Sequence, residues 1–320
     1  MQESITELRK WLSPQIPIRE HYPLRCFTTL QAGGAARYLV IVRQLEDFAL
    51  VASLAQLLNI PHVILGSGSN VLPSDKGVNG LVIVNACTRI NFDDELYAET
   101  GCWFQDLFLT AAQKSLSGLE FAVGIPGTLG GALVSNAGAY RANIADCLRY
   151  VEIVQGGDRR WVEPSYLDFK YRDSVLRRPN APAIALLAVR LDLPTGNAKR
   201  IYDLAREFQR QRISKQPPQA SAGSFFKNVE SKEFAQGLEG LPQKLCDAGV
   251  VPAGFLIEKC GLKGEQMGRA VISRKHANFI CNLGGASANE IRSLAELAKR
   301  RVHEVFGITL EEEVLYLGEW

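Results

Sequence analysis

From residue 37 the chain alternates between two hydrophobic periods. Residues 37–42 are strand-forming and almost wholly apolar, reading Arg37, Tyr38, Leu39, Val40, Ile41, Val42. Leu45, Phe48, Val51, Leu54 and Leu58 then recur at three- or four-residue spacing, which predicts an amphipathic helix over 44–58. Residues 62–66 form a second strand, unbroken in apolar residues after His62, as expected where both faces of a sheet are covered. Residues 80–84 form a third, and the strand–helix–strand rhythm predicts an α/β lobe.

The middle is less regular. A helical stretch runs near 103–114, a glycine-rich segment over 118–140, strands near 150–156 and 183–193, and a charged helix over about 197–212. Gln216, Pro217, Pro218 and Gln219 then break the chain, and a domain boundary is placed there. The last hundred residues read as a smaller α+β unit. Ser287 and Glu290 have capping-box spacing, Ile291, Leu294, Ala298, Val302 and Val305 share one helical face, and Gly307 stops the helix. A closing strand at 313–317, apolar after its first residue, is expected to be buried in a sheet.

Composition narrows the function class. A chain of 320 residues forms one large or two modest domains and buries about 75% of its unfolded surface, so it needs no staple. Thirty-six basic against 34 acidic side chains leave +2, too little for a nucleic-acid coat or a polybasic membrane binder, while an anionic small ligand needs only a few local cations. Seven cysteines without a CxxC pair and four scattered histidines give no metal spacing and read as free thiols in a reducing compartment. The first residues are too polar for a signal peptide, and no apolar run nears the ~18 residues of a membrane span, so a cytoplasmic protein is expected. The 28 glycines are unevenly spread.

Several segments offer chemistry. Gly66, Ser67, Gly68, Ser69 and Asn70 follow a strand, but Val71 stands where a dinucleotide fingerprint needs its third glycine. A phosphate-binding nest and a tight turn at a sheet edge both fit. Six glycines fall within 118–140, with Glu120 as the only formal charge and Ile, Leu, Phe and Tyr between them. Flexible linkers lack such apolar residues. The segment reads as ordered backbone close to a large, flat, phosphate-bearing ligand, or as a structural bend. Ser224 lies among small residues with Lys227 and Asn228 beyond it, in neither a Ser-His-Asp order nor a G-x-S-x-G elbow, so a turn serine also fits. Arg172, between Tyr171 and Asp173, reads equally as a surface ion pair. Glu313 closes the acidic run begun by Glu311 and Glu312, and is either solvated or aimed inward.

In this order the segments resemble the UDP-N-acetylenolpyruvoylglucosamine reductases (UDP-N-acetylmuramate dehydrogenases), the MurB type in its shorter form. The resemblance runs from residue 23 to 318. It rests on Thr28 and Thr29 with Gly33 and Gly34, on residues 66–72, 124–131, 136–140, 171–174 and 222–228, and on 261–264, 275–280 and 310–318. Arg141 and Val229 depart from it, standing where the family usually has glycine and proline.

The resemblance implies an α+β protein with an FAD-binding fold of the vanillyl-alcohol-oxidase (PCMH) type. Residues 23–79 and 80–214 would be two α/β lobes with the cofactor between them, 215–310 a C-terminal α+β substrate domain, and 311–320 a closing strand. Non-covalent FAD would be held by Gly66, Ser67, Gly68, Ser69, Asn70 and Val71, by Gly124, Ile125, Pro126, Gly127, Thr128, Gly130 and Gly131, and by Asn136, Ala137, Gly138, Ala139 and Tyr140. With NADPH as hydride donor, the implied reaction reduces UDP-N-acetylglucosamine enolpyruvate to UDP-N-acetylmuramate, a step in peptidoglycan precursor synthesis and so in cell-wall biogenesis, cell shape and division. Arg172 would hold the substrate carboxylate, Ser224 would deliver a proton, and Glu313 would pair with Arg172 and polarise the developing enol. Lys227 and Asn228 would bind the sugar diphosphate. The implied protein is a cytoplasmic monomer with no nucleic-acid or membrane partner, and the shorter form leaves no lid tyrosine to assign. A flavin-dependent sugar or alcohol oxidase of the same fold is the alternative. It often tethers its flavin to histidine or cysteine, neither of which lies in 118–140, and it would leave Ser224 and Glu313 without a task. A non-catalytic relative would be expected to have lost one of Arg172, Ser224 and Glu313.

Overall fold

The three strands of the first third form the parallel part of one sheet. Strands Ala35–Val42 and His62–Leu65 flank Val78–Asn85, both parallel to it, with the helix Leu45–Leu57 as the connection between the first two. This is a computed structural model, and it describes residues 1–320. Val78–Asn85 is central, with Leu81, Val82 and Ile83 fully buried. His62–Leu65 is the edge strand, so only Leu65 is fully buried. Its apolar run therefore does not mark a strand covered on both faces.

Two-sided burial falls instead on Ile184–Leu191, the middle strand of a five-stranded antiparallel sheet. Ile184 and Leu186 join a core with the helix Phe104–Gln113, whereas Ala185 and Leu187 join the core beneath Leu45–Leu57. Successive strand side chains point to opposite faces, and with both faces covered the first six residues, Ile184 to Val189, are all apolar and buried, Arg190 alone being exposed. Each fully buried aliphatic or aromatic side chain here contributes roughly 1.5–3 kcal/mol. The charged helix Ala198–Lys215 runs past residue 212 to the Gln216–Pro217 break.

The chain divides into two compact units. One comprises Met1–Tyr22, Ala36–Gly68 and Val78–Ser214, and the other Pro23–Ala35, Ser69–Gly77 and Lys215–Trp320. This division differs from the one expected from sequence, because two short early segments fold with the C-terminal residues. Leu30, Ala32 and Leu72 lie in the core built by Phe225, Phe226 and the helix Ala288–Phe306. Thr29 donates to the Ser221 carbonyl (2.7 Å) and Asn282 to that of Leu30 (2.8 Å). The Asp75 carboxylate accepts from the Ala288 and Asn289 amides (2.8 and 2.9 Å) at the helix start, where negative charge is favoured.

The capping box forms, with Ser287 Oγ and Glu290 Oε2 each accepting the other residue's amide, and Gly307 caps the far end at φ +68°. Val305, expected on the apolar face, is exposed. Residues 311–320 are not a separate element. Leu315–Leu317 pairs in parallel with Val71–Pro73, and it is shorter and less buried than expected because this is a two-stranded ribbon. All seven cysteines are free, and no helix is long and apolar enough to cross a membrane.

Candidate active site

The strand His62–Leu65 delivers Gly66 against the second glycine-rich segment. A Cβ on Gly66 would overlap the Thr128 hydroxyl. The loop carrying Thr128 is held from below by three hydrogen bonds: Phe104 N–H to Gly127 O (3.0 Å), Leu129 N–H to Cys102 O (2.9 Å) and Gly130 N–H to Thr100 O (2.7 Å). Thr100 is itself fixed, donating to Leu186 O (2.6 Å) and accepting from Asn85 Nδ2 (2.8 Å). Gly127 has φ +131°, open to glycine almost alone.

Ser67 Oγ and Arg212 Nε of this unit are buried without a partner. Such groups are rare, because burial without a hydrogen bond costs roughly 1–3 kcal/mol. The Arg212 side chain lies over Gly124, with its guanidinium 5.7 Å from the Tyr140 ring centroid and Nη2 3.4 Å from Phe121 O. Burial lowers its pKa from the ordinary arginine value, and the charge of Arg172 lowers it further. A phosphate-bearing ligand with acceptor oxygens would satisfy both atoms, and the missing Cβ at Gly66 lets its backbone close onto Thr128.

Arg172 sits at the tip of a closed turn. Lys170 and Asp173 exchange backbone hydrogen bonds (3.0 and 3.2 Å), and Arg172 takes φ +51°. A left-handed arginine costs about 1–2 kcal/mol and persists only when its surroundings fix it. Asn136, buried, donates to Lys170 O (2.9 Å) and accepts from Ala145 N–H (3.3 Å). Arg172 Nη2 donates to Gly138 O (2.7 Å), and buried Ser174 donates to Val134 O (2.7 Å). Asn136 thus spends its side chain fixing the arginine turn, and Tyr140 stacks on Phe208 at 3.7 Å. Arg141 has φ +69°, a conformation glycine adopts freely, so the loop keeps a shape suited to glycine. Arg141→Gly is expected to raise stability by about 0.5–1 kcal/mol, relief of strain exceeding the added unfolded-state entropy. Denaturant unfolding checks this, and an unchanged or lower midpoint would refute it.

In the other unit, Gly223 at φ +78° leads into half-exposed Ser224, and Phe225 and Phe226 follow fully buried. Glu313 N–H donates to Phe225 O (2.8 Å), Lys227 N–H to Glu311 O (2.8 Å), and Phe226 bridges antiparallel to Glu312. Asn70 Nδ2 donates to Glu313 O (3.1 Å), and Asn70 O accepts from Leu315 N–H (3.0 Å). The structure therefore brings the backbones of Ser224 and Glu313 onto adjacent segments joined by the Phe226–Glu312 bridge, with Asn70 bracing the second. The Lys227 ammonium pairs with Glu311, and Asn228 Oδ1 accepts weakly from Ala253 N–H (3.4 Å). Val229 opens a two-residue strand, a position where proline is also tolerated.

Residues 215–317 match the model of the C-terminal domain of UDP-N-acetylenolpyruvoylglucosamine reductase, and residues 36–163 that of an FAD binding domain. The UDP-N-acetylenolpyruvoylglucosamine reductase of Caldicellulosiruptor bescii is 38% identical over 95% of this chain and 92% of its own.

The chain belongs to the UDP-N-acetylenolpyruvoylglucosamine reductase family.

The Syntrophomonas wolfei enzyme of that name is 34% identical over 98% of this chain and 99% of its own length. The crystal structure of the Thermus caldophilus reductase superposes with a TM-score of 0.76, at 34% identity over 94% of this chain and 99% of that one. The protein is thus an FAD-dependent oxidoreductase of this reductase family, with the expected α+β class and FAD-binding fold. Two residues that contact candidate segments, one in each unit, had no role assigned from sequence. Arg212 was hidden in a charged helix that reads as solvated, and only its burial beside Gly124 singles it out. Asn278 lies inside the motif 275–280, where nothing in the sequence tells a buried asparagine from an exposed one.

Proposed function

We propose that the protein reduces UDP-N-acetylglucosamine enolpyruvate to UDP-N-acetylmuramate at the expense of NADPH, with Arg172, Ser224 and Glu313 acting on the enolpyruvyl group. The observation carrying this reading is the pair of orphaned buried atoms, Ser67 Oγ and Arg212 Nε, each at a glycine-lined loop whose backbone packs too closely for a side chain. Ser67, Gly66, the Gly124–Gly131 loop and Arg212 would hold FAD. When bound, FAD accepts hydride from the nicotinamide and passes it to the terminal vinyl carbon of the substrate.

The rest falls to the chain. Arg172, fixed in its turn by Asn136 and Gly138, offers the substrate carboxylate a planar fork of donors that strengthens as charge develops on it. Ser224 Oγ gives its proton to the carbon bearing the carboxylate. An alcohol is a weak acid, so this suits only a strongly basic carbanion. Glu313 would pair with Arg172 and polarise the developing enol. Asn228 would bind the sugar diphosphate. Lys227 does so only on leaving Glu311, so its contribution is the smaller. By the resemblance, the protein acts as a cytoplasmic monomer.

The test is anaerobic. The purified protein should be yellow, NADPH should bleach it, and the enolpyruvyl substrate should restore the colour with stoichiometric UDP-N-acetylmuramate. Reoxidation by oxygen alone, with none by the substrate, would favour an oxidase and overturn the reading.

A further inference from the structure

We infer that Asn278 is a positioning residue for the reduction: its buried side-chain amide takes the place of a missing β-strand and holds the Ser224 segment against the strand that carries Glu313. The inference rests on the reading of Ser224 as proton donor.

The hydrogen-bond pattern carries it. In an antiparallel pair, residues alternate between bonding to the partner strand and pointing N–H and C=O away from it. Phe226 lies opposite Glu312 and is flanked by the Lys227–Glu311 and Glu313–Phe225 bonds, so its own N–H and C=O face the other edge. No strand lies there, and Asn278 stands in for one. Its Oδ1 accepts from Phe226 N–H (2.9 Å), its Nδ2 donates to Phe226 O (2.8 Å), and its main-chain O accepts from Phe225 N–H (2.7 Å). Asn278 is 3% exposed, Phe225 0% and Phe226 1%, so water cannot replace these bonds. A carboxamide offers donor and acceptor in one plane, as a peptide group does, and unlike a carboxyl it does so at every pH.

Asn278 is itself held. Its N–H donates to His276 Nδ1 (3.2 Å), Phe279 N–H donates to His276 O (3.0 Å), and Ser273 Oγ accepts from the Lys275 and His276 amides (3.1 and 3.3 Å). Burial, and then the charge of Lys263, push the imidazole below its ordinary pKa and keep it a neutral acceptor. Gly254 leaves the ring its space, because a Cβ there would come 3.1 Å from His276 Cε1. Gly223 before Ser224 is conformationally free, so the strand after Ser224 fixes where its hydroxyl sits.

The test uses the FAD holoenzyme with Asn278→Ala, Asn278→Asp, Ser224→Ala and the Ser224→Ala/Asn278→Ala double variant. FAD content and the rate of flavin reduction by NADPH should stay within about two-fold of wild type. Reoxidation by the enolpyruvyl substrate should fall roughly 10- to 100-fold in Asn278→Ala, the cost of misplacing a reacting group by about an ångström. Asn278→Asp should recover as pH falls, because burial raises the new carboxyl's pKa and its protonated form again donates to Phe226 O. His276, the titratable group bonded to Asn278, is common to every variant, and Asn278→Ala controls for it. The double variant should be no slower than Ser224→Ala, the signature of one residue acting through the other. Asn278→Ala reoxidising at the wild-type rate would overturn the inference and leave the acid reading intact. Asn278→Asp tracking Asn278→Ala at every pH, or the two single effects multiplying in the double variant, would also overturn it. Ser224→Ala reoxidising normally would remove the acid reading itself, and the inference with it. Should Asn278→Ala not fold, the nearly isosteric Asn278→Asp still carries the test through its pH profile.

Discussion

Ser224→Ala is expected to leave the flavin reducible by NADPH at the wild-type rate and to slow its reoxidation by the enolpyruvyl substrate about 10²–10⁴-fold, the range for loss of a positioned proton donor. The two half-reactions separate because only the second creates a carbanion. The fold should tolerate the change, since Ser224 is half-exposed and the buried Phe225 and Phe226 anchor the segment through their backbones. Stopped-flow absorbance of the flavin without oxygen measures both rates in one variant. A loss in the NADPH half-reaction as large as in the second would mean that the substitution disturbs the flavin site rather than removing an acid.

Gly66→Ala is expected to cost FAD. The new methyl would overlap the Thr128 hydroxyl, and Thr128 cannot retreat easily because hydrogen bonds to Phe104, Cys102 and Thr100 hold its loop. Overpacking of this kind costs typically 1–3 kcal/mol. Spent against the bound geometry, that weakens FAD about 5- to 150-fold. Titration of the apoprotein, followed by flavin fluorescence, measures it. Adding Thr128→Ala should restore part of the affinity, because it removes the overlapping hydroxyl at the expense of a helix cap worth about 1 kcal/mol. Unchanged affinity in Gly66→Ala alone would show that the close approach is not needed for binding.

Local features were well legible in the chain. The strands at 37–42 and 80–84, the helix after residue 44, the capping box at Ser287 and the strand near 183–193 are written in local pattern, and that pattern follows local geometry. Where neighbours decide burial, the pattern misled. Residues 62–65 are as apolar as a central strand yet occupy an edge, and Val305 continues a buried stripe that ends before it. The glycines of 118–140 could be read as packed because of the apolar residues between them. Which atoms they approach, such as the Arg212 stem for Gly124 or the Thr100 carbonyl for Gly130, depends on segments far apart in the chain. Asn278 is the extreme case, since its importance comes wholly from a strand edge some fifty residues earlier in the sequence.

The pairing of Val71–Pro73 with Leu315–Leu317 has a consequence for biosynthesis. The first strand leaves the ribosome early, but its only sheet neighbour follows about three-quarters of the chain later. Until residue 317 has been made, Val71–Pro73 offers bare backbone donors and acceptors to whatever strand comes near, and closing so long a loop is slow. The nascent protein therefore carries an unprotected edge through most of its synthesis. Shortened products that stop before residue 315 should be prone to aggregation and attractive to chaperones, even those that already contain Glu313.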